Sequence, residues 1–298
     1  MKKRLISCFA SDIAKMSSAD LKNSIIASEG RVILAETVVS MPPLFPDITN
    51  AEIMAAFGAD LILLNMYDVF TKFIYGMEND KNPIATIKAL TGRPIGINLE
   101  PVDADALHFE DLYDLPKGRI ASKEALKEAA QQGIDFICLT GNPSTGVSNA
   151  AIEKSITVAK ENFPGLVFAG KMHGAGVREK VLSEESLLKF IELGADGILI
   201  PTVGTVPGVT EQDACDITLK AKALGAMVMS TVGTSQEGAD TATIREFGLS
   251  NKRVGSDIHH LGDASFGHMA DPENLMALSM CIRGKRHTCF RMAQSLNR

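Results

Sequence analysis

Four short stretches of the chain look alike, and they limit what it can fold into more than any other feature. They are FGADLILLN (57–65), QGIDFICLT (132–140), LGADGILIP (193–201) and LGAMVMSTV (224–232). Each reads as a helix end closed by Gly and followed at once by a short unbroken apolar run. Glycine suits the left-handed position after a helix because it has no Cβ to clash there. An apolar run that does not alternate fits a parallel strand buried on both faces. Amphipathic helices with recognisable starts lie between the runs. TNAE (49–52) is a capping box, Asn82 stands before Pro83 at a first helical position, and Ser122, Ser183, Thr210, Asp240 and Asp271 are placed as N-caps.

Counted along the chain, the pattern predicts strands at 31–37, 61–66, 94–99, 135–140, 166–171, 197–202, 226–231 and 253–258. Eight strand–helix units close a (β/α)8 barrel, whose usual length is about 250 residues. The rival, a doubly wound open sheet, would carry a GxGxxG fingerprint after its first strand, and none is present. The expected fold is therefore an α/β TIM barrel, a single domain over 31–298. Residues 1–30 are expected to form an N-terminal helical extension covering the barrel bottom.

Composition narrows the function. A chain of 298 residues, 45% hydrophobic and 22% charged, can bury a full core without metals or disulfides as staples. Net charge −6, 5% aromatics and no Trp argue against nucleic-acid binding, which needs a basic face and stacking platforms. Cys8, Cys138, Cys215, Cys281 and Cys289 lack CxxC spacing and read as reduced thiols of a cytoplasmic protein. The start, MKKRLISCFASDIAK, has the basic beginning of a signal peptide, but Asp12 and Lys15 break its apolar run. No apolar run approaches the ~18 residues of a membrane span. The expected partners are a small anionic metabolite and further copies of the chain in a homo-oligomer, with neither nucleic acid nor membrane.

In such barrels chemistry is built at the C-terminal ends of the strands. Residues two apart on a strand share a face, which groups Val32, Leu34 and Glu36; Gly96, Asn98 and Glu100; Val167, Ala169, Lys171 and His173; and Gly255, Asp257 and His259. Each series turns polar at its end, as a barrel interior does where it opens into a pocket. Asn65, Asp68, Thr140, Asn142, Thr202 and Thr231 add to the rim. Lys171 and His173 are the sharpest pair, since a desolvated lysine can act as a Schiff-base nucleophile or general base. It could equally hold an anion as a plain cation, or be bridged to Glu36 or Glu100. The candidate catalytic groups are thus Lys171, His173, Glu36, Glu100 and Asp257. Glu36, Glu100, Asp257 and His259 are also candidate ligands for a divalent cation, Mg²⁺ or Mn²⁺ before Zn²⁺ because carboxylates dominate the set. A hydrogen-bonded network without metal is the competing reading, and a one-residue slip of the last strand would present His260 instead of His259.

The string Thr-Val-Gly-Thr occurs at both 202–205 and 231–234. Thr202, Gly204, Gly233, Thr234 and Ser235, with Asn65 and Asn98, are candidates for binding a phosphate or carboxylate. Glycine lets backbone amides approach an anion, and the helix starting near Asp240 adds its positive end. Two tight turns that need Gly would leave the same string. His260 and His268 lie in the following loop, and His108 and His287 read as structural. No nucleotide-cofactor motif, Walker A, GxSxG or HExxH occurs, and DADAL (103–107) lacks the phosphatase Asp-x-Asp-x-Thr pattern. The Met-rich helix at 276–294 with its basic tail is expected to serve as core and oligomer contact.

ITNAEIMAAFGADLILLNMYDV (48–69) resembles the first helix and second strand of the phosphoenolpyruvate mutase/isocitrate lyase superfamily, and FGLSNKRVGSDI (247–258) resembles its approach to the last strand. The superfamily's acidic metal-binding motifs do not follow these strands, so the resemblance implies the fold and carries over neither Mg²⁺ chemistry nor residue roles. The order GADLILLN, GIDFICLTG, GADGILIP is also similar to the BtpA family of barrel proteins. The chain thus resembles a bacterial barrel family at the periphery of both. The functional expectation is an enzyme for a small phosphorylated or carboxylated metabolite, a lyase, aldolase or isomerase with enolate-type chemistry. A non-catalytic metabolite-binding or assembly protein and a metal-dependent phosphate-ester hydrolase are the alternatives.

Overall fold

A computed structural model describes residues 3–103 and 112–298; His108 and most of DADAL lie outside the described residues. Eight strands, β1 Val32–Val38, β2 Leu61–Asn65, β3 Ile95–Leu99, β4 Phe136–Leu139, β5 Leu166–Gly170, β6 Gly197–Pro201, β7 Met227–Val232 and β8 Ile258–Leu261, form the sheet. Each pairs in parallel with the next, and β8 with β1, so the barrel is closed. Helices α1 Ala10–Ile13 and α2 Ser18–Ile26 precede β1. The strands are followed in turn by α3 Asn50–Ala56, α4 Pro83–Thr91, α5 Lys123–Gln131, α6 Asn149–Asn162, α7 Glu184–Glu192, α8 Glu211–Ala223, α9 Thr241–Val254 and α10 Pro272–Met292.

The expected helix starts are present as chemistry. Thr49 and Glu52 form the capping box of α3, and the side chains of Ser122, Ser183, Thr210, Asp240 and Asp271 each accept a first-turn N–H. Asn82 makes no such bond, although Pro83 does open α4.

The repeated Gly has a partner that gives it meaning. Gly58, Gly133, Gly194 and Gly255 sit in the left-handed region, at φ 104, 72, 107 and 89°. Two residues later, Asp60, Asp135, Asp196 and Asp257 accept the N–H of Ile33, Ile95, Val167 and Val228 at 2.8, 2.7, 3.1 and 3.0 Å. Each aspartate also donates its own N–H to the carbonyl of that same residue. Every even strand is thereby clamped at its lower end to the preceding odd strand. The fourth member of this repeat is VGSDIHHLG (254–262), whereas LGAMVMSTV is β7 and has no aspartate. The strand expected at 253–258 is displaced accordingly: α9 runs to Val254, Gly255 caps it, and β8 starts at Ile258.

Alternation then sorts the side chains. Val32, Leu34, Leu61, Leu63, Phe136, Phe168 and Ile258 fill the barrel interior, closed from below by Leu5, Ile6, Leu21 and Ile25 of the N-terminal segment. The Phe136 ring meets Phe168 edge-on at 6.1 Å, and Gly96 leaves it room, because a Cβ there would stand 2.1 Å from that ring. Ile33, Ala35, Ile62, Leu64, Val167, Ala169, Ile198 and Ile200 face the helices instead. At the bottom, fully buried Asp60 is paired with Arg283 and Arg291 of α10, each at 2.6 Å. Burial would push its carboxyl up, but the two guanidiniums hold it below the usual range. Two residues of the basic tail therefore turn inward. Among the described residues no helix is long and apolar enough to cross a membrane.

Candidate active site

The inward series ends in polar groups at the upper mouth of the barrel. Glu36 on β1 accepts from Asn98 Nδ2 on β3 at 2.7 Å through Oε1, and its Oε2 lies 2.7 Å from His260 Nε2 on β8. Asn65 at the end of β2 is the hub. Its Oδ1 accepts from Asn98 Nδ2 and Asn142 Nδ2 at 3.0 Å each, and its Nδ2 donates to Asn142 at 3.0 Å and to Asp263 at 2.9 Å. Glu100, just beyond β3, accepts from the Asn142 backbone N–H at 3.0 Å and from Arg119 at 2.5 Å. Glu36, Asn98, Glu100 and His260 are all buried.

Two further carboxyls, Asp263 and Glu237, border this cluster. Asp263 is pushed well above the usual carboxylate range by burial and by the charge of Glu36. Glu237, from the loop after β7, is raised by burial as well; Gly262 lets it approach, since a Cβ there would lie 2.7 Å from its Oε1. Like charges close together favour the neutral form of one partner, and here that partner is the partly exposed Asp263 carboxyl. Buried atoms without a partner collect nearby: His260 Nδ1, Asn98 Oδ1, Thr140 Oγ1 and Glu237 Oε2. Such atoms in a folded protein call for a ligand or water.

Above Arg119 and Asn142 opens a cleft of about 970 Å³, walled by loops after β1, β2, β3 and β4. Strained backbone gathers on the same side. Among the described residues the non-glycine left-handed positions are Met66, Lys72, Ser144, Ala175, Thr234, Ser235 and His268, all in loops leaving upper strand ends, plus Glu29 below. Strain of this kind persists where surrounding structure enforces it, and it concentrates at binding sites.

Of the expected site residues, Glu36, Glu100, Asn65 and Asn98 come together. Asp257 does not: it is the β8 clamp at the opposite end, bonded to Val228 and paired with Lys222 at 2.9 Å. His259 points outward to the Gly30 carbonyl at 3.0 Å, and burial takes its imidazole down to about 4. The four expected cation ligands are thus split between two ends of the barrel, and among the described residues no three His, Cys, Asp or Glu side chains form a metal-holding set. Lys171 follows outward-facing Val167 and Ala169; its Nζ donates to Glu179 at 2.7 Å, and burial lowers its ammonium despite that partner. His173 Nδ1 accepts the Ala175 N–H and borders a separate groove with Glu179 and Glu184.

The paired Thr-Val-Gly-Thr loops staple each other. Thr234 Oγ1 donates to the Thr205 carbonyl at 3.0 Å and Gln236 Nε2 to that of Gly204 at 3.1 Å, while the Thr202 carbonyl accepts from Thr205 Oγ1 at 2.7 Å. Gly233 packs against Met172, whose Sδ would be 2.9 Å from a Cβ there, and Ser235 starts a 3-10 turn in a left-handed conformation. The two loops are thus bonded into one pair of turns. His260, Asp263, Glu237 and Arg119 were not among the expected catalytic or binding groups. Aligning the four Gly-x-Asp units would have shifted β8 and brought His260 inward; nothing local marks the other three.

A closed parallel (β/α)8 barrel whose carboxylates, amides and one imidazole converge at its upper mouth is the class that fold and site define. Within it, the chain belongs to the family described as a domain of unknown function, DUF7916, whose model matches residues 6–298. No curated protein matches it. Among solved structures it is similar to 2,3-dimethylmalate lyase, a PEP mutase/isocitrate lyase superfamily member, with TM-score 0.53 and 10% identity over 87% of this chain and 83% of that one. It is similar to oxaloacetate acetylhydrolase in complex with the product oxalate, with TM-score 0.52 and 11% identity over 83% and 80%. A putative lyase/mutase from Burkholderia cenocepacia J2315 is 19% identical at TM-score 0.49, over 82% of each chain. At these identities the likeness is one of fold, a closed parallel (β/α)8 barrel.

Proposed function

We propose that this protein is an enzyme that moves a proton on a small carboxylated metabolite, as a lyase or isomerase working through an enolate. The observation that carries the reading is the Glu36–His260 pair, 2.7 Å apart and buried at the barrel mouth, beside the raised carboxyl of Asp263. A carboxylate hydrogen-bonded to an imidazole, beside a carboxyl whose neutral form is favoured, offers a proton acceptor and a donor to one substrate. In this reading the pair takes the proton next to a substrate carbonyl, and neutral Asp263 gives a hydrogen bond to the enolate oxygen. The amides of Asn65, Asn98 and Asn142 hold the groups in place. The names of two proteins that share the fold, 2,3-dimethylmalate lyase and oxaloacetate acetylhydrolase, agree with a carboxylated substrate. Schiff-base chemistry at Lys171 is not part of the proposal, because its amine is held by Glu179 outside the network.

The test is proton NMR in D2O on a panel of 2-oxo acids and malate-type acids, following deuterium entry beside the carbonyl and carbon–carbon cleavage. Wild type should exchange or cleave at least one. Glu36→Gln and His260→Ala should each slow that reaction by about 10²- to 10⁴-fold, and Lys171→Ala should leave it within a few-fold. A folded wild type inert toward the whole panel, or undiminished rates in both site variants, would overturn the proposal.

A further inference from the structure

Short acids leave most of the cleft over the network unused. Its floor is polar: Arg119 and Asn142 face it, and Asn142 leads through Asn65 and Asn98 to Glu36 by hydrogen bonds of 3.0, 3.0 and 2.7 Å. One side of it is apolar, made by Met66, Phe73, Leu112, Tyr113 and Pro143, beside the polar Asp68 and Thr71. Phe73, Leu112 and Tyr113 are 40, 37 and 59% exposed, so three large apolar side chains border one opening instead of packing into the core. Exposed apolar area gathered at one place marks a binding surface, whereas scattered single residues do not.

The wall is also held in place. The Tyr113 N–H donates to the Ser144 carbonyl at 2.8 Å, which ties the loop after β3 to that after β4, and Phe73 is braced edge-on by Tyr75 at 6.4 Å. Met66 and Ser144 stand in left-handed conformations at φ 60 and 61°, a cost that the fold sustains on both sides of the opening. A volume of about 970 Å³ is near the upper end of cavities that take drug-sized ligands.

Resting on the acid–base reading of the site, we propose that its substrate is a carboxylic acid with a bulky apolar substituent, a medium-length alkyl chain or an aryl ring. The acid end lies on the Arg119–Asn142 floor, at the Asn142 end of the network, and the substituent covers the Phe73–Tyr113 wall. Burying each added methylene there should raise affinity about fourfold, equivalent to ~0.8 kcal/mol.

The experiment is calorimetric titration of the full chain with 2-oxobutyrate, 2-oxohexanoate, 2-oxooctanoate and phenylpyruvate, beside the exchange assay on the same acids. The expected result is a dissociation constant that falls about fourfold per methylene, with phenylpyruvate among the tight binders. Phe73→Ala and Tyr113→Ala should flatten the gradient, weakening 2-oxooctanoate and phenylpyruvate more than 2-oxobutyrate. Both residues are partly exposed, and an unchanged melting temperature would verify that the variants fold. Equal affinity along the series, no binding by any acid, or a full gradient in both variants would overturn the assignment. Proton exchange with equal affinities would leave the catalytic reading standing and remove this one; a gradient without any exchange would do the reverse.

Discussion

Asp263 accepts a hydrogen bond from Asn65 at 2.9 Å while facing Glu36 and Glu237 in surroundings that raise its pKa. Over the pH range between an ordinary aspartate and this raised value, the folded chain keeps a proton that the unfolded chain has released. Stability then falls as pH rises through that window. Asp263→Asn removes the term and can still accept from Asn65 through its amide oxygen. We expect the variant to melt higher than wild type, with a larger gain at pH 8 than at pH 5, while turnover drops by about 10²-fold or more. Lower melting at both pH values would show that Asp263 is a structural acceptor only. The same residue illustrates what was hard to read. Its neighbours in sequence are loop residues, and the groups that meet it, Asn65 and Glu36, are some two hundred positions away.

At the scale of the element, the Gly-x-Asp unit explains both a success and an error of the sequence reading. Gly at a helix end and Asp at a strand start are local choices, so the helix–strand count, the caps and most strand positions were legible. The error was to include β7 in the repeat and to start β8 too early. That made Asp257 and His259 inward groups, when the inward pair is Ile258 and His260. A strand has a side-chain period of two, so one residue of register exchanges a site for a core; the same parity carries Lys171 to Glu179. Asp257→Ala should therefore cost about 1–3 kcal/mol of stability, the loss of a buried acceptor, and leave catalytic turnover unchanged at temperatures where the variant is folded. A loss of turnover without a loss of stability would return Asp257 to the site.

The whole molecule is closed at its lower end by a contact between distant parts of the chain. Asp60 at the start of β2 meets Arg283 and Arg291 of α10, and all three side chains are fully buried. Replacing Asp60 by Ala leaves two buried guanidiniums without their counter-charge, a change that costs about 3–5 kcal/mol. The urea midpoint of Asp60→Ala should fall by that measure, well beyond the effect of Asp257→Ala; equal effects would mean that the arginines contribute nothing beyond the strand clamp. The sequence marks this helix as core and oligomer contact without saying which of its charges turn inward, because charge alone does not say which way a helix turns.

What the chain's own order of residues determined is local: helix starts set by caps three residues from their donors, helix ends set by glycine, and apolar runs whose length and number select a barrel. Tertiary structure decided which polar residues meet. Glu36 and His260 are 224 positions apart and Asn65 and Asp263 198, and their meeting depends on barrel closure and on a parity that hydrophobic runs, apolar on both faces, do not encode.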